Sequence, residues 1–360
     1  MVVWSPQQAA ALKAVAEWRR TRGQQVFRLY GYAGTGKTML ARHFAEGLDG
    51  DVAFAAFTGK AAHAMRGKGC PNATTIHGLI YRLEKEDDKG NPVFVLDRNS
   101  RARRMQLIII DELSMVNETI GRDLLRFGVP IIGIGDPAQL PPVEGCGFFT
   151  TGEPDVMLTE IHRQARDNPI IQMATTVREG GRLALGDYGT SRVVTLDNVD
   201  EVAGDQILVG RNITRRNINS GLRETHGLRG AYPLKGDKLV CLRNDYRRGF
   251  LNGSIWFIEE VIKASTDGEI VLSVVPEEGG DAVTATTHAF CFTGLNHPEG
   301  NSREYVEFDF GYALTVHKAQ GSQWNNVILH DESRYFREHW KRWLYTGITR
   351  AAQLITVIQK

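Results

Sequence analysis

Residues 31–38 read Gly31-Tyr32-Ala33-Gly34-Thr35-Gly36-Lys37-Thr38, a complete GxxxxGK[ST] loop. No other stretch constrains the fold as much, because this loop works only between a β-strand and the first turn of an α-helix. The flanking residues supply both: Gln25–Tyr30 reads as a short strand and Thr38–Ala45 as a helix. The glycines let successive backbone N–H groups turn inward on β- and γ-phosphates, and the helix N-terminus adds its positive dipole end. In that frame Gly34, Thr35 and Gly36 line the phosphates. Lys37 supplies a point charge, and Thr38 offers a hydroxyl ligand for Mg²⁺. The loop implies a nucleoside triphosphate site.

A chain of 360 residues can hold two or three domains, and 42% hydrophobic with 24% charged residues is ordinary for a globular protein. The formal net charge of +1 excludes a global basic field, so any polyanion must be met by a local groove. Cys70, Cys146, Cys241 and Cys291 are far apart, with no CxxC pair and no zinc spacing, and read as thiols of a reducing cytoplasm. The N-terminus carries no charged and apolar leader pattern, and no apolar run approaches the roughly 20 residues of a membrane span. A soluble cytoplasmic protein is expected.

Ser5 as N-cap and Pro6 at the first position predict a helix over residues 6–20. From residue 25 to about 145, the apolar runs Val26–Tyr30, Val52–Phe57, Leu107–Asp111 and Val129–Gly135 alternate with helical stretches. That alternation predicts a parallel sheet covered on both faces. Within it, residues 79–104 read as two strand-like arms around a charged turn, a protruding β-hairpin. A second alternating region includes the strand Asp205–Gly210 and the helix Ile213–Glu224. Residues 233–308, rich in β-formers and turns, predict an inserted antiparallel β unit. Beyond it the pattern predicts a strand over Glu307–Leu314, a helix near 316–321, a strand over Val327–Leu329, a helix near 337–346 and a last strand over Leu354–Ile358.

The run Leu107-Ile108-Ile109-Ile110 delivers Asp111 and Glu112 to a strand end, where open α/β sheets place their ligands. Asp111 then suits Mg²⁺, and Glu112 suits polarising an attacking water. The next strand ends in Gly135-Asp136-Pro137-Ala138-Gln139-Leu140-Pro141-Pro142, a proline-stiffened loop in which Gln139 is placed to sense a γ-phosphate. Phosphoryl transfer draws on cationic donors from elsewhere in a structure, and Arg163 and Arg350 are candidates. A single arginine is by default a surface charge, so these two depend on a larger pattern.

That pattern is present: the chain resembles the superfamily 1 (1B) DNA helicases, of the RecD-like and phage Dda-like group, over nearly its full length. The motifs occur in family order, as Ser5–Gln8, Gly31–Thr38, Phe57–Ala62, Thr74–Leu79, Asp111–Ser114, Gly135–Pro142, Glu160–Gln164, Ala313–Ser322 and Tyr345–Ala351. Phe57, Gln323 and Gly347 stand where relatives commonly have proline, glutamate and alanine.

The resemblance implies an α/β fold of two tandem RecA-like parallel-sheet domains, residues 1–150 and residues 151–232 with 309–360. It also implies that residues 233–308 form a small SH3-like β-barrel and that the hairpin at 81–104 is a duplex-splitting pin, with Phe94 or Tyr81 stacking on the end base pair. Arg163 and Arg350 become arginine fingers, Gln8 reads the adenine, and Gly321 joins the nucleotide site. The implied cofactors are ATP and Mg²⁺. Thr58, Lys60, Thr75, His77, Thr315, His317 and Lys318 are candidate contacts to single-stranded DNA; for His77 and His317 a structural role stays open beside the ligand role. The implied activity is an ATP-dependent helicase moving 5′→3′, with forked DNA and replication or single-strand-binding proteins as partners. A monomer is expected because one chain supplies both halves of the ATP site. Residue chemistry alone also leaves open an RNA helicase, an ATP-switched nucleic-acid clamp and a small-molecule P-loop kinase.

Overall fold

The computed structural model describes residues 4–21, 23–46, 48, 51–86, 92–141, 147–150, 152–161, 167–198, 204–245, 248–293 and 305–359. Pro142, Cys146, the charged hairpin turn at 87–91 and Arg163 lie outside these residues. The described helices are α1 (Pro6–Thr21), α2 (Lys37–Ala45), α3 (Gly59–Gly67), α4 (Ile76–Ile80), α5 (Glu118–Leu125), α6 (Pro169–Arg178), α7 (Asn212–Thr225), α8 (Phe290–Thr293) and α9 (Trp340–Ile348). In the N-terminal half the strands are β1 (Val26–Gly31), β2 (Val52–Ala56), β3 (Thr74–Thr75), β4 (Tyr81–Glu86), β5 (Pro92–Leu96), β6 (Leu107–Asp111), β7 (Ile131–Gly135) and β8 (Val156–Leu158). There follow β9 (Gly186–Tyr188), β10 (Ser191–Thr195), β11 (Gln206–Val209), β12 (Lys238–Cys241), β13 (Ile255–Ala264), β14 (Glu269–Pro276), β15 (Val283–His288), β16 (Phe308–Phe310), β17 (Ala313–Thr315), β18 (Trp324–His330) and β19 (Ala351–Gln359).

The chain falls into two compact units, Met1–Arg82 with Leu96–Asp205 and Ala319–Lys360, and Leu83–Val95 with Gln206–Lys318. The first contains a six-stranded sheet in the order β3-β2-β6-β7-β1-β8, and its pairings are parallel. Its central strand β6 is apolar without alternation, and Leu107, Ile108, Ile109 and Ile110 are all 0% exposed, as a strand covered on both faces requires. One cover packs Leu29, Ile109 and Ile132 against Ala11, Leu40 and Phe44 of α1 and α2. The other packs Tyr30, Ile108 and Ile110 with Leu113, Ile120 and Leu124. Gly133 of β7 makes room for that side: a Cβ there would sit 2.3 Å from Leu113 Cδ2. The order β6-β7-β1 brings the strand ends at Asp111, Gly135 and Gly31 to one edge of the sheet. The unit also holds β18, β19, β10 and β9 side by side, with β9 alone antiparallel to its neighbour.

In the second unit β11 and β17 pair in parallel. Strands β15-β14-β13-β12-β16 form an antiparallel sheet over a core that includes Phe250, Trp256, Ile258 and Phe308. The arms β4 and β5 form a two-stranded sheet of their own. Asn219 of α7 replaces a ladder partner, donating to Phe310 O at 2.8 Å and accepting from Ala313 N at 2.6 Å.

Two expected elements come out differently. The strand expected over Glu307–Leu314 is two strands, β16 and β17, broken at Gly311, where a Cβ would lie 2.8 Å from the backbone of Leu239. The helix expected near 316–321 is a run of turns. Thr315 Oγ1 accepts from Lys318 N at 3.3 Å, and Gly321 takes φ +75°, a left-handed conformation that ends any helical path. Cys70 and Cys241 are buried free thiols and Cys291 is half-buried. Among the described residues no helix is long and apolar enough to cross a membrane.

Arg223 of α7 is 5% exposed and clamps Asp237, which is 0% exposed, through Nε at 2.8 Å and Nη2 at 3.0 Å. It also donates to the carbonyl oxygens of Gly230 and Tyr232. Arg223→Met leaves a buried carboxylate without its cation, which costs about 3–5 kcal/mol. Chemical denaturation of the full chain is expected to show that loss, with partial recovery in the double variant Arg223→Met/Asp237→Asn.

Candidate active site

Strand β1 ends at Gly31 because the chain must turn sharply there. A Cβ on Gly31 would lie 2.6 Å from Thr35 Oγ1 and 2.9 Å from Leu158 Cβ. Gly34 and Gly36 take φ +79° and +80°, and α2 starts at Lys37. A cavity of about 450 Å³ opens at this helix start, lined by Gly34, Gly36, Lys37, Thr38, Met39, Arg42 and Lys68. Arg42 and Lys68 escaped the sequence reading; the signal for Arg42 was its place five residues after Lys37, one and a half turns along α2.

Lys37 Nζ donates to the carbonyl oxygens of Gly31 at 2.6 Å and Tyr32 at 2.8 Å, and lies 3.9 Å from Asp136 Oδ2. Neutral carbonyls are weak partners for an ammonium group, so the residue suits a phosphate anion brought into the loop. Thr35 Oγ1 donates to Tyr32 O at 2.9 Å and tightens the turn. Gln8 is buried beside the loop: Nε2 donates to Thr35 O at 3.1 Å, and Oε1 accepts from Ser5 N at 3.1 Å. Both ends of its amide are thus engaged by protein, which supports the loop from behind.

Asp111 and Glu112 leave β6 together. Glu112 sits at φ +54°, a left-handed conformation uncommon outside glycine that throws its carboxylate off the strand line. Its backbone N–H donates to Asp111 Oδ1 at 2.9 Å. The Glu112 carboxyl is pushed above the usual range, first by burial and then by the charge of Asp111, against the pull of Arg350. Arg350 stands at the turn between α9 and β19, 6% exposed, with Nη1 4.0 Å from Glu112 Oε1. Bonds to Thr346 O and Ser322 O, both 3.1 Å, aim its guanidinium. The structure therefore brings Lys37, Asp111, Glu112 and Arg350 into one site.

The loop after β7 is pinned at three points. Asp136, 3% exposed, accepts from Ala138 N at 3.0 Å and from Tyr345 Oη at 2.7 Å. Tyr345 Oη also accepts from Ala33 N at 2.8 Å, tying the phosphate loop to α9. Leu140 N donates to Thr346 Oγ1 at 2.9 Å, and Leu140 O accepts from Gln320 Nε2 at 3.0 Å. Asp136, Tyr345 and Gln320 lay inside recognised motifs without being singled out, since their roles require partners about 100 to 300 residues away. Between these pins Gln139 is 9% exposed, and its buried Oε1 has no hydrogen-bond partner among the described residues. An orphaned buried acceptor needs a donor, and a bound water would supply one.

The expected DNA contacts divide between the units. In the first, Thr58 accepts from Ala61 N at 3.1 Å and Thr75 from Gly78 N at 3.0 Å, so both hydroxyls cap helices. Lys60 lies over the Trp324 ring at 4.2 Å. The His77 ring lies 4.8 Å from that of Tyr81. Gly321 sits where a Cβ would be 2.8 Å from Thr58 Oγ1 and is not among the residues lining the cavity. In the second unit Lys318 Nζ donates to Asn252 Oδ1, and burial lowers its pKa. Thr315 is occupied as a turn cap, and His317 lies two residues beyond it. Tyr81 Oη donates to Asp123 Oδ2 at 2.7 Å, whereas Phe94 on β5 is 45% exposed. Of the two rings proposed for stacking, Phe94 is the accessible one.

Tyr345→Phe removes a donor to a buried carboxylate and an acceptor for Ala33 N–H, and about 1–3 kcal/mol of stability should go with them in denaturant unfolding. For Glu112 the folded state holds the proton more tightly than the unfolded chain, so its ionisation works against folding as pH rises through the folded pKa. Glu112→Gln should therefore have a thermal midpoint at pH 7 no lower than that of the parent. Calorimetry at pH 4 should find that difference reduced.

Residues 3–198 match the AAA domain family, and residues 310–358 match the UvrD-like helicase C-terminal domain. The chain is 29% identical to the ATP-dependent RecD2 DNA helicase of Deinococcus radiodurans over 96% of its own length and 48% of that protein, so it spans about half of that relative. It is 26% identical to the ATP-dependent DNA helicase Pif1 of Bdellovibrio bacteriovorus, over 88% of this chain and 80% of that one. Solved structures share the fold. The Candida albicans Pif1 helicase aligns with a TM-score of 0.59 at 20% identity, covering 99% of this chain and 94% of that one. A Bacteroides Pif1 helicase in complex with ADP-AlF3 and single-stranded DNA aligns with a TM-score of 0.57 at 18% identity, covering 99% and 92%. With its phosphate loop, acidic strand end and C-terminal arginine in one unit and the AAA domain match running through 3–198, the chain belongs to the AAA domain family and is similar to the RecD-like and Pif1-like DNA helicases.

Proposed function

We propose that this chain is an ATP-driven motor that moves 5′→3′ on single-stranded DNA and separates duplex DNA. The observation that carries the reading is the approach of Arg350 to Glu112 at 4.0 Å, beside Lys37. A general base and a cationic donor from the far end of the chain then face one phosphate loop. The names of the relatives support a DNA helicase: RecD2 and Pif1 are ATP-dependent DNA helicases, and a Bacteroides Pif1 was solved with single-stranded DNA.

In this mechanism Lys37 exchanges the carbonyls of Gly31 and Tyr32 for phosphate oxygens, at the positive end of α2. Thr38 and Asp111 would hold Mg²⁺, which neutralises charge on the transferred phosphoryl group when bound. Glu112 takes the proton of the attacking water; its raised pKa makes it a stronger base. Gln139 Oε1 accepts a hydrogen bond from that water. Arg350 stabilises the charge that develops on the γ-phosphate, and Arg163 is assigned the same task by family resemblance. Hydrolysis alternates closing and reopening between the segments that carry Lys37 and Arg350, and the loop pinned by Tyr345, Thr346 and Gln320 carries that movement.

The same reading assigns residues 1–150 and residues 151–232 with 309–360 to two RecA-like domains, and residues 233–308 to an SH3-like insertion. The hairpin at 81–104 serves as the pin, with Phe94 against the terminal base pair. Residues Phe57–Ala62, Thr74–Leu79 and Ala313–Ser322 grip the strand through phosphate contacts that read no sequence.

The deciding measurement is steady-state ATP hydrolysis with and without single-stranded DNA. Strong stimulation is expected, abolished by Lys37→Ala and reduced about 10³-fold or more by Arg350→Ala, the worth of an arginine finger. A rate indifferent to DNA would overturn the proposal; stimulation by matched RNA alone would move it to the RNA helicases.

A further inference from the structure

Four arginines, Arg98, Arg101, Arg103 and Arg104, fall within seven residues of a chain whose net charge is only +1. All four are exposed. Among the described residues none has an acidic partner within salt-bridge distance. Among the described residues these side chains make one polar contact, Arg101 Nη2 to Asn72 O, and it is long at 3.5 Å. Exposed arginines of a globular surface are commonly interspersed with acids; this segment carries none between its first arginine and its last.

The segment is rigidly mounted. Arg101–Arg104 form a 3₁₀ turn capped by Ser100, whose Oγ accepts from Ala102 N at 3.0 Å and donates to Leu79 O of α4. Ala102 is 0% exposed and anchors the turn in the core. Asp97 N donates to Ile80 O at 2.8 Å, which stitches together the two points where the chain leaves for β4 and returns from β5. The arginines thus stand at the root of the hairpin, beside the helix that carries His77. In a 3₁₀ turn residues three apart eclipse, so Arg101 and Arg104 share one edge about 6 Å apart.

We propose that Arg98, Arg101, Arg103 and Arg104 form a shelf for the phosphate backbone of the duplex arm of a fork. The proposal rests on the helicase reading and extends it to a second DNA contact. Single-strand sites pair cationic grooves with aromatic platforms on which bases stack. The segment 98–104 contains no aromatic residue and offers charge alone, which suits a double helix whose bases are already stacked inside. Its place at the root of the proposed pin sets it where an unopened duplex meets the protein.

The test is a salt titration of binding, read by fluorescence anisotropy, for the full chain and for Arg101→Ala/Arg103→Ala/Arg104→Ala. Two probes are compared: a single strand, and the same strand continued into a duplex. On the tailed duplex the slope of log K against log salt should fall in magnitude by about 2.7, three contacts at 0.9 each. On the single strand the slope should not change, and neither should DNA-stimulated ATP hydrolysis. The corresponding triple lysine variant should restore the slope, which separates loss of charge from loss of fold. An unchanged slope on the tailed duplex overturns the shelf. An equal fall on the single strand overturns the duplex assignment. Absence of DNA-stimulated hydrolysis in the parent chain would instead sink the helicase reading, whatever the slopes show.

Discussion

A carboxylate that is 3% exposed must be met by donors, and Asp136 draws them from three separate segments. Tyr345 comes from α9, Ala138 from its own loop, and Lys37 approaches from the phosphate loop. Because Tyr345 also holds Ala33, one buried anion links the nucleotide cradle to the C-terminal helix. Charge-assisted hydrogen bonds of this kind are stronger than neutral ones, and a partly satisfied network is costly. Movement of any one of these segments is therefore felt by the others. That is the property a nucleotide-driven machine requires.

The same loop leaves a polar side chain unmet at the sheet edge. The six-stranded parallel sheet is a rigid apolar platform, and its strand order brings three loop origins together at one edge. Beyond that edge Gln139 is enclosed by bonds to its neighbours, with an acceptor left unmet. Glu112 is held in a strained conformation and shielded from water, which raises its affinity for a proton. Stability is given up at both positions, as is common where chemistry is done.

Much of this was legible in the chain itself. The phosphate loop was readable because glycine spacing dictates backbone geometry locally, and β6 because a strand buried on both faces cannot alternate in polarity. Lys37, Asp111, Glu112 and Arg350 followed from loop chemistry and motif order, and the structure brings them together. The helix expected near 316–321 failed for a physical reason: its apolar and polar residues keep helical spacing, yet Thr315 caps a turn and Gly321 adopts a left-handed conformation. Thr58 and Thr75 read as phosphate ligands, and their second role as helix caps became visible only when the backbone was placed.

Local rules of this kind act over a few residues, so the sequence alone determined the elements that short spacing controls: the loop, its helix, the buried strands and the order of motifs. Pairings between distant residues obey no such rule. That Tyr345 meets Asp136, that Gln320 holds Leu140, and that Ser100 mounts four arginines on α4 depends on how sheets and helices pack. Tertiary structure decided these because burial, which is indifferent to distance along the chain, determines which polar groups must find each other.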